Sequence, residues 1–194
     1  MPMPDKNQPV LDFLATRRSH SPKVLVPPVP SRAEVEALLG YAARSPDHGA
    51  LVPWRFVVIE GGAMARLADL AEARGQALGK DAETVAKGRG QFDRGHLAVV
   101  VVERPVPSEK VPPREQTLSA GAVCLSLVNA ALAAGWGAGW VTGWISFDRG
   151  FVEQGFGLAP EEEVAGIVHI GSFVSPPAER PRPDVPALIT WLPA

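Results

Sequence analysis

Arg17-Arg18-Ser19 sets two guanidinium groups and a hydroxyl side by side. A guanidinium offers a planar fork of donors to a phosphate or carboxylate, and a hydroxyl adds one more. If the chain is extended there, Arg17 and Ser19 share a face and can reach one anion. If the preceding helix continues instead, two arginines at its C-terminus complement the dipole and sit in water. A second cluster runs Arg44-Ser45-Pro46-Asp47-His48-Gly49 and leads through Val52-Pro53-Trp54 into Arg55-Phe56. A polar turn before a strand makes the rim of a pocket, or an ordinary helix–loop–strand connection. A third, Gly135–Gly143, reads GWGAGWVTG. Its glycines let a backbone approach a flat ligand, with Trp140 and Thr142 on one side of an extended chain. The same pattern also serves as a tight sheet corner around a core tryptophan.

Other chemistries are excluded by what is missing. No G-x-x-x-x-G-K-[ST] loop occurs, and GWGAGW places Trp140 where a dinucleotide fingerprint needs a small residue. There is no H-E-x-x-H and no G-x-S-x-G elbow. The four histidines (20, 48, 96, 169) are scattered, and the single cysteine, Cys124, lies in an apolar run. No metal site and no disulfide framework are therefore expected. The net charge of −2 argues against nucleic acid as a partner. The first ten residues, MPMPDKNQPV, contain no apolar leader core, so a cytoplasmic location is expected, with no membrane association.

A chain of 194 residues fits one domain spanning 1–194. Its 20 prolines and 19 glycines make up about a fifth of the chain, short of low-complexity disorder. Helices are expected over 9–18, over 32–44 behind a Ser31/Glu34 capping box, over 63–78, as a short exposed piece within 80–92, over 114–134 and over 148–156. Strands are expected at 55–60, 96–103, 136–143 and 164–170, with ALITWL at 187–192 as a final one. Proline-rich stretches at 22–30 and 105–113 read as rigid connectors, and 175–194 as an extended arm carrying Arg180 and Arg182. The mixture lacks a regular βαβ alternation, which favours an α+β sandwich. Helix 114–134 carries Leu118, Leu125 and Leu132 every seventh residue, and a separate stripe of Ser119, Ala122, Ser126, Ala130 and Ala133. Such a helix should be buried all round, its small stripe against a close neighbour from this chain or from a second subunit.

Taken in order, RRS at 17–19, ARSPDHGALVPWRFVVIEG at 43–61, KVPPREQTLSAGA at 110–122 and AAGWGAGWVTG at 133–143 resemble the nitroreductase family, in its short bacterial branch. The resemblance spans about residues 12–171. It implies a three-layer α+β sandwich with a mostly antiparallel sheet, assembled as a homodimer that binds FMN at the subunit interface. Arg17, Arg18 and Ser19 would hold the FMN phosphate and ribityl chain. Arg44 and His48 would contact the flavin, partly from the partner subunit, and Trp140, Val141 and Thr142 would line it. Two positions depart from the family pattern. An Asn-x-Gln before Pro-Trp is replaced around His48 and Val52, and an Arg-Ser after Trp140 is replaced by Val141-Thr142, leaving the backbone at 141 to take part.

The implied activity is an FMN-dependent NAD(P)H oxidoreductase that reduces nitroaromatics, quinones or similar small acceptors by ping-pong hydride transfer through flavin N5. No side chain need act as a nucleophile, because the flavin carries the chemistry. Flavin fragmentation, reductive dehalogenation and non-catalytic flavin binding are the alternatives.

Overall fold

β-Branched residues pack well on a pleated surface, and LAVVVVE offers seven positions without a break. In the computed structural model, which describes residues 5–193, this run is a strand buried on both faces. (Met1–Pro4, at the head of the segment read for a leader, and Ala194 lie outside the described residues.) The strands are β1 (Leu25–Val26), β2 (Trp54–Glu60), β3 (Leu97–Glu103), β4 (Gly137–Val141) and β5 (Glu163–Phe173). All pairings are antiparallel. β5 is the hub, pairing with β1, β3 and β4, while β2 joins through β3.

Strand alternation sends Ala98, Val100 and Val102 of β3 to one face and Leu97, Val99 and Val101 to the other. The first face is covered by α3 (Gly61–Ala77), α4 (Ala82–Asp93) and α6 (Arg149–Phe156); the second by α2 (Arg32–Ala42) and α5 (Pro113–Ala133). The result is the expected α+β three-layer sandwich. Sequence signals start the helices: the Ser31/Glu34 capping box forms on α2, and Asp148 caps α6 through the Phe151 N–H.

Several expectations need correction. Residues 187–192 form no strand: Pro186–Leu188 is a 3-10 turn, and the stretch is exposed and unpaired. β-propensity makes a strand only where an edge receives it, and among the described residues no edge does so. The connector 22–30 is not uniformly extended, because Pro22–Val24 is a 3-10 turn and β1 pairs with β5. α4 is not merely exposed: Phe92 is fully buried against Phe151 and Phe156, and Gly88 closely faces the Trp144 indole. The helix expected over 9–18 is α1 (Gln8–Thr16) and ends before the arginines. α5 is not covered all round, since Leu118 and Leu125 are exposed. It is long and apolar enough to cross a membrane by composition, yet much of it packs into the fold.

One ion pair ties the sandwich together. Arg55 at the start of β2 forks onto Glu162 before β5, with both contacts at 2.6 Å, and Glu162 is only 4% exposed. Hydrogen bonding from Arg55 holds the Glu162 carboxyl below its usual range despite burial. A depressed carboxyl stabilises the fold above its ordinary pKa of 4.5, and that contribution is lost as pH falls through the folded value. Arg55→Met should therefore cost about 2 kcal/mol near neutral pH, discounted for the partial exposure of Arg55. The difference from wild type should shrink toward about pH 4. Urea unfolding at the two pH values checks this, and equal losses at both would contradict it.

Candidate functional site

The turn after α1 is where the first cluster gains its shape. The Arg17 N–H closes the helix onto the Phe13 carbonyl, and Arg17 then turns extended (φ −57°, ψ 139°). Residues i and i+2 consequently share a face, and Arg17 Nη2 donates to Ser19 Oγ at 3.1 Å. Arg17, Arg18 and Ser19 line a cavity of about 160 Å³ whose other wall is Ala178, Arg180 and Arg182 of the arm. Four guanidinium groups thus converge on one small space. A carboxylate answers part of their charge: Glu179 lies 3.3 Å from Arg18 and 2.7 Å from Arg182. Arg180 and Arg182 had no role assigned from the sequence. The available signal was their i, i+2 spacing in an extended Pro-rich segment, which puts both cations on one side.

The next residue joins this cradle to the sheet. The His20 N–H donates to the Ala138 carbonyl at 2.8 Å. A Cβ on Gly139 would stand 2.0 Å from the His20 carbonyl oxygen, so only glycine lets the two backbones approach. The His20 ring packs at a tilt against Phe173, with centroids 4.4 Å apart, and burial together with the Arg18 charge pushes its pKa down. Beyond Gly139, the Trp140 indole lies across Gly166 of β5 and against Gly121 of α5, with 42% of the residue exposed. Val141 turns to the core on the α3/α6 side and Thr142 is exposed. Position 141 therefore presents its backbone, not its side chain, to the Trp140 face.

The second cluster belongs to another face of α5. Ser119 Oγ donates to the Pro46 carbonyl, Ser45 and Ser126 share a hydrogen bond of 2.9 Å, and His48 Nδ1 meets Glu115 Oε2 at 2.7 Å. At 100° per residue these α5 positions form one stripe, whereas Gly121 under Trp140 stands roughly 200° from Ser119. Arg44 is exposed and has no ion-pair partner among the described residues. A single chain thus brings Arg17, Arg18 and Ser19 together and links them through His20 to Trp140–Thr142. It does not bring Arg44 and His48 to them.

An apolar surface lies between the clusters. Val10, Phe13 and Leu14 of α1, Tyr41 of α2 and Ser126, Asn129, Ala130 and Ala133 of α5 line a groove of about 600 Å³. α1 has no buried residue, although its apolar spacing is regular. The thiol of Cys124 is buried, and burial pushes its pKa up to about 12, so it is no thiolate nucleophile at neutral pH.

Comparison with known proteins shows the family and the fold. The family model described as nitroreductase family matches residues 14–172. YdjA of Escherichia coli K12, provisionally named an NAD(P)H nitroreductase, is 32% identical over 162 residues, covering 84% of this chain and 87% of that protein. A nitroreductase-like family protein from Bacillus cereus superposes with a TM-score of 0.77 at 20% identity, over 99% of this chain and 98% of the other. A provisionally named nitroreductase from Desulfovibrio desulfuricans, solved in complex with FMN, gives 0.73 at 19% identity, over 97% and 99%. The solved structures establish the fold, and the family match spans Arg17–Ser19, Arg44, His48 and Trp140–Thr142 but ends before Arg180 and Arg182. This chain belongs to the nitroreductase family, a family of oxidoreductases.

Proposed function

We propose that the chain is an FMN-dependent NAD(P)H oxidoreductase that reduces small acceptors such as nitroaromatics and quinones. The observation that carries the reading is the four-arginine cradle, two of whose guanidinium groups are paired with Glu179. A carboxylate paired with two guanidinium groups stands in for a phosphate oxygen pair, so the donor set fits a phosphomonoester. Arg17, Ser19, Arg180 and Arg182 would hold the phosphate of FMN, and Arg18 would neutralise its second charge. Trp140, the backbone of Val141 and Thr142 would face the ring system. When bound, FMN supplies two-electron hydride chemistry, and the protein supplies binding and orientation.

The separation of the two clusters supports a homodimer. Arg44 and His48 would meet the flavin held by the partner, with the α1/α2/α5 groove and exposed Leu118 and Leu125 covered by the second copy. The same reading makes the chain one domain with a proline-rich arm, working in the cytoplasm.

Purified protein incubated with FMN and then desalted should stay yellow and absorb near ~450 nm, as flavin cofactors do. Anaerobic NADPH or NADH should bleach the colour, and a nitroaromatic or quinone should restore it. Protein that is colourless once unbound FMN has been removed sinks the reading. Colour that neither nicotinamide bleaches leaves a flavin-binding protein without this reductase activity.

A further inference from the structure

The loop after α2 holds a backbone that its residue types disfavour. Gly49 has φ +75°, but Ala50 and Val52 also sit at φ +51°. A β-branched residue at positive φ is a genuine outlier, and such conformations cost on the order of 1–3 kcal/mol each unless surrounding contacts enforce them. Here they are enforced. Asp47 Oδ2 accepts from the Val52 N–H at 2.8 Å, Ser119 of α5 ties the Pro46 carbonyl, and Glu115 of α5 takes His48 Nδ1 at 2.7 Å. A surface ion pair contributes about 0–1 kcal/mol, too little to explain why the chain keeps a strained turn to make one. The turn has a chemical result instead: it presents one imidazole with its orientation set by a carboxylate.

We infer that His48 is the proton donor to the reduced acceptor and that Glu115 is its positioning residue. The inference rests on the oxidoreductase reading above. Glu115 accepts from Nδ1–H, which fixes the tautomer and leaves Nε2 without a partner among the described residues. Reduction of a quinone consumes NAD(P)H and one proton and yields the hydroquinone and NAD(P)+. The nicotinamide supplies the hydride equivalent, which converts the quinone to a hydroquinone monoanion. His48 enters this step as the imidazolium, protonated on both nitrogens: its Nε2–H bond breaks, an O–H bond forms on the anionic oxygen, the neutral Nδ1–H ring held by Glu115 remains, and solvent reprotonates Nε2. Along the chain, the charged residues that flank the imidazole and its partner are Arg44 and Asp47 beside His48, and Lys110 and Arg114 before Glu115. Glu115 is the one paired with the ring among the described residues.

The test compares two acceptors on the FMN-loaded protein with NADPH. Benzoquinone needs the proton; ferricyanide takes electrons without one. The ratio of quinone to ferricyanide turnover cancels any loss of cofactor. It should fall about 100-fold in His48→Gln, the scale of general-acid catalysis. In Glu115→Ala it should fall about 10-fold, the scale of losing an orienting partner. A second readout needs no turnover. Nitrogen-15 shifts of the neutral His48 ring, the form left after proton transfer, should show the Nδ1–H tautomer in the wild type and a shift toward Nε2–H in Glu115→Ala. A ratio within about twofold of wild type in His48→Gln overturns the proton step. A wild-type Nε2–H tautomer overturns the role of Glu115. A protein that reduces neither acceptor overturns the oxidoreductase reading, and the proton step with it, a result distinct from an unchanged ratio.

Discussion

Arg17→Ala weakens FMN binding by about 1.5–3 kcal/mol, roughly 10- to 150-fold in Kd, as for a lost charge-assisted hydrogen bond. The alternative role for Arg17, a solvated cation at the end of α1, predicts almost no change. The structure separates the two by where the side chain goes: it turns onto Ser19 and lines the cavity shared with Arg180 and Arg182. Arg182→Ala should fall in the same range, and the double variant should lose less than the sum, because neighbours on one anion couple. Glu179→Gln should act in the opposite direction and tighten binding by about 1 kcal/mol, since the carboxylate that pairs Arg18 and Arg182 no longer competes. Quenching of FMN fluorescence on titration measures all four variants. An unchanged Kd for Arg17→Ala, or a weaker one for Glu179→Gln, rejects the cradle as a phosphate site.

What could be read in advance follows the reach of each signal. The unbroken LAVVVVE run, the Ser31–Glu34 box and the prolines at 46 and 112 report on their own backbone, and the strand and helices they imply are present. Signals that depend on a partner misled. ALITWL has strand composition but no edge to join, and the apolar spacing of α1 buries none of its residues. Leu118 and Leu125 lie exposed on a helix expected to be enclosed. The site divides in the same way. Arg17 and Ser19 were legible because an extended i, i+2 pair shares a face. The approach of Arg180 and Arg182 was not, because a tail's path over the fold leaves no periodic trace. Nor does the loop at 47–52 announce its positive φ at Val52, a conformation imposed by Asp47 and α5 rather than chosen by residue type.

Gly139→Ala should be a severely damaging single methyl, costing more than about 3 kcal/mol and lowering Tm by roughly 6–12 °C. The reason is the kind of neighbour, not the conformation of the glycine. Its added Cβ would lie 2.0 Å from the His20 carbonyl oxygen, and both atoms belong to backbones held by other bonds. β4 is paired with β5 at this position, opposite His169, while His20 is tied to Ala138. Relief requires the Arg17–His20 segment to lift from the sheet, which separates the phosphate cradle from Trp140. FMN affinity should therefore fall together with stability, although Gly139 offers no side chain to either. Gly137 provides the control on the same strand. Its closest neighbours are side-chain atoms, the Leu25 Cδ2 methyl at 2.7 Å and Phe173 Cδ1 at 3.0 Å, and the nearest backbone atom, the Gly171 carbonyl oxygen, stands at 3.2 Å rather than 2.0 Å. Gly137→Ala should cost only about 1–2 kcal/mol and leave the cradle seated. Thermal unfolding of the two variants, with and without FMN, gives the ranking. If Gly137→Ala proves the costlier, or if Gly139→Ala binds FMN as the wild type does, the contact between His20 and Gly139 is not what couples the anion site to the sheet.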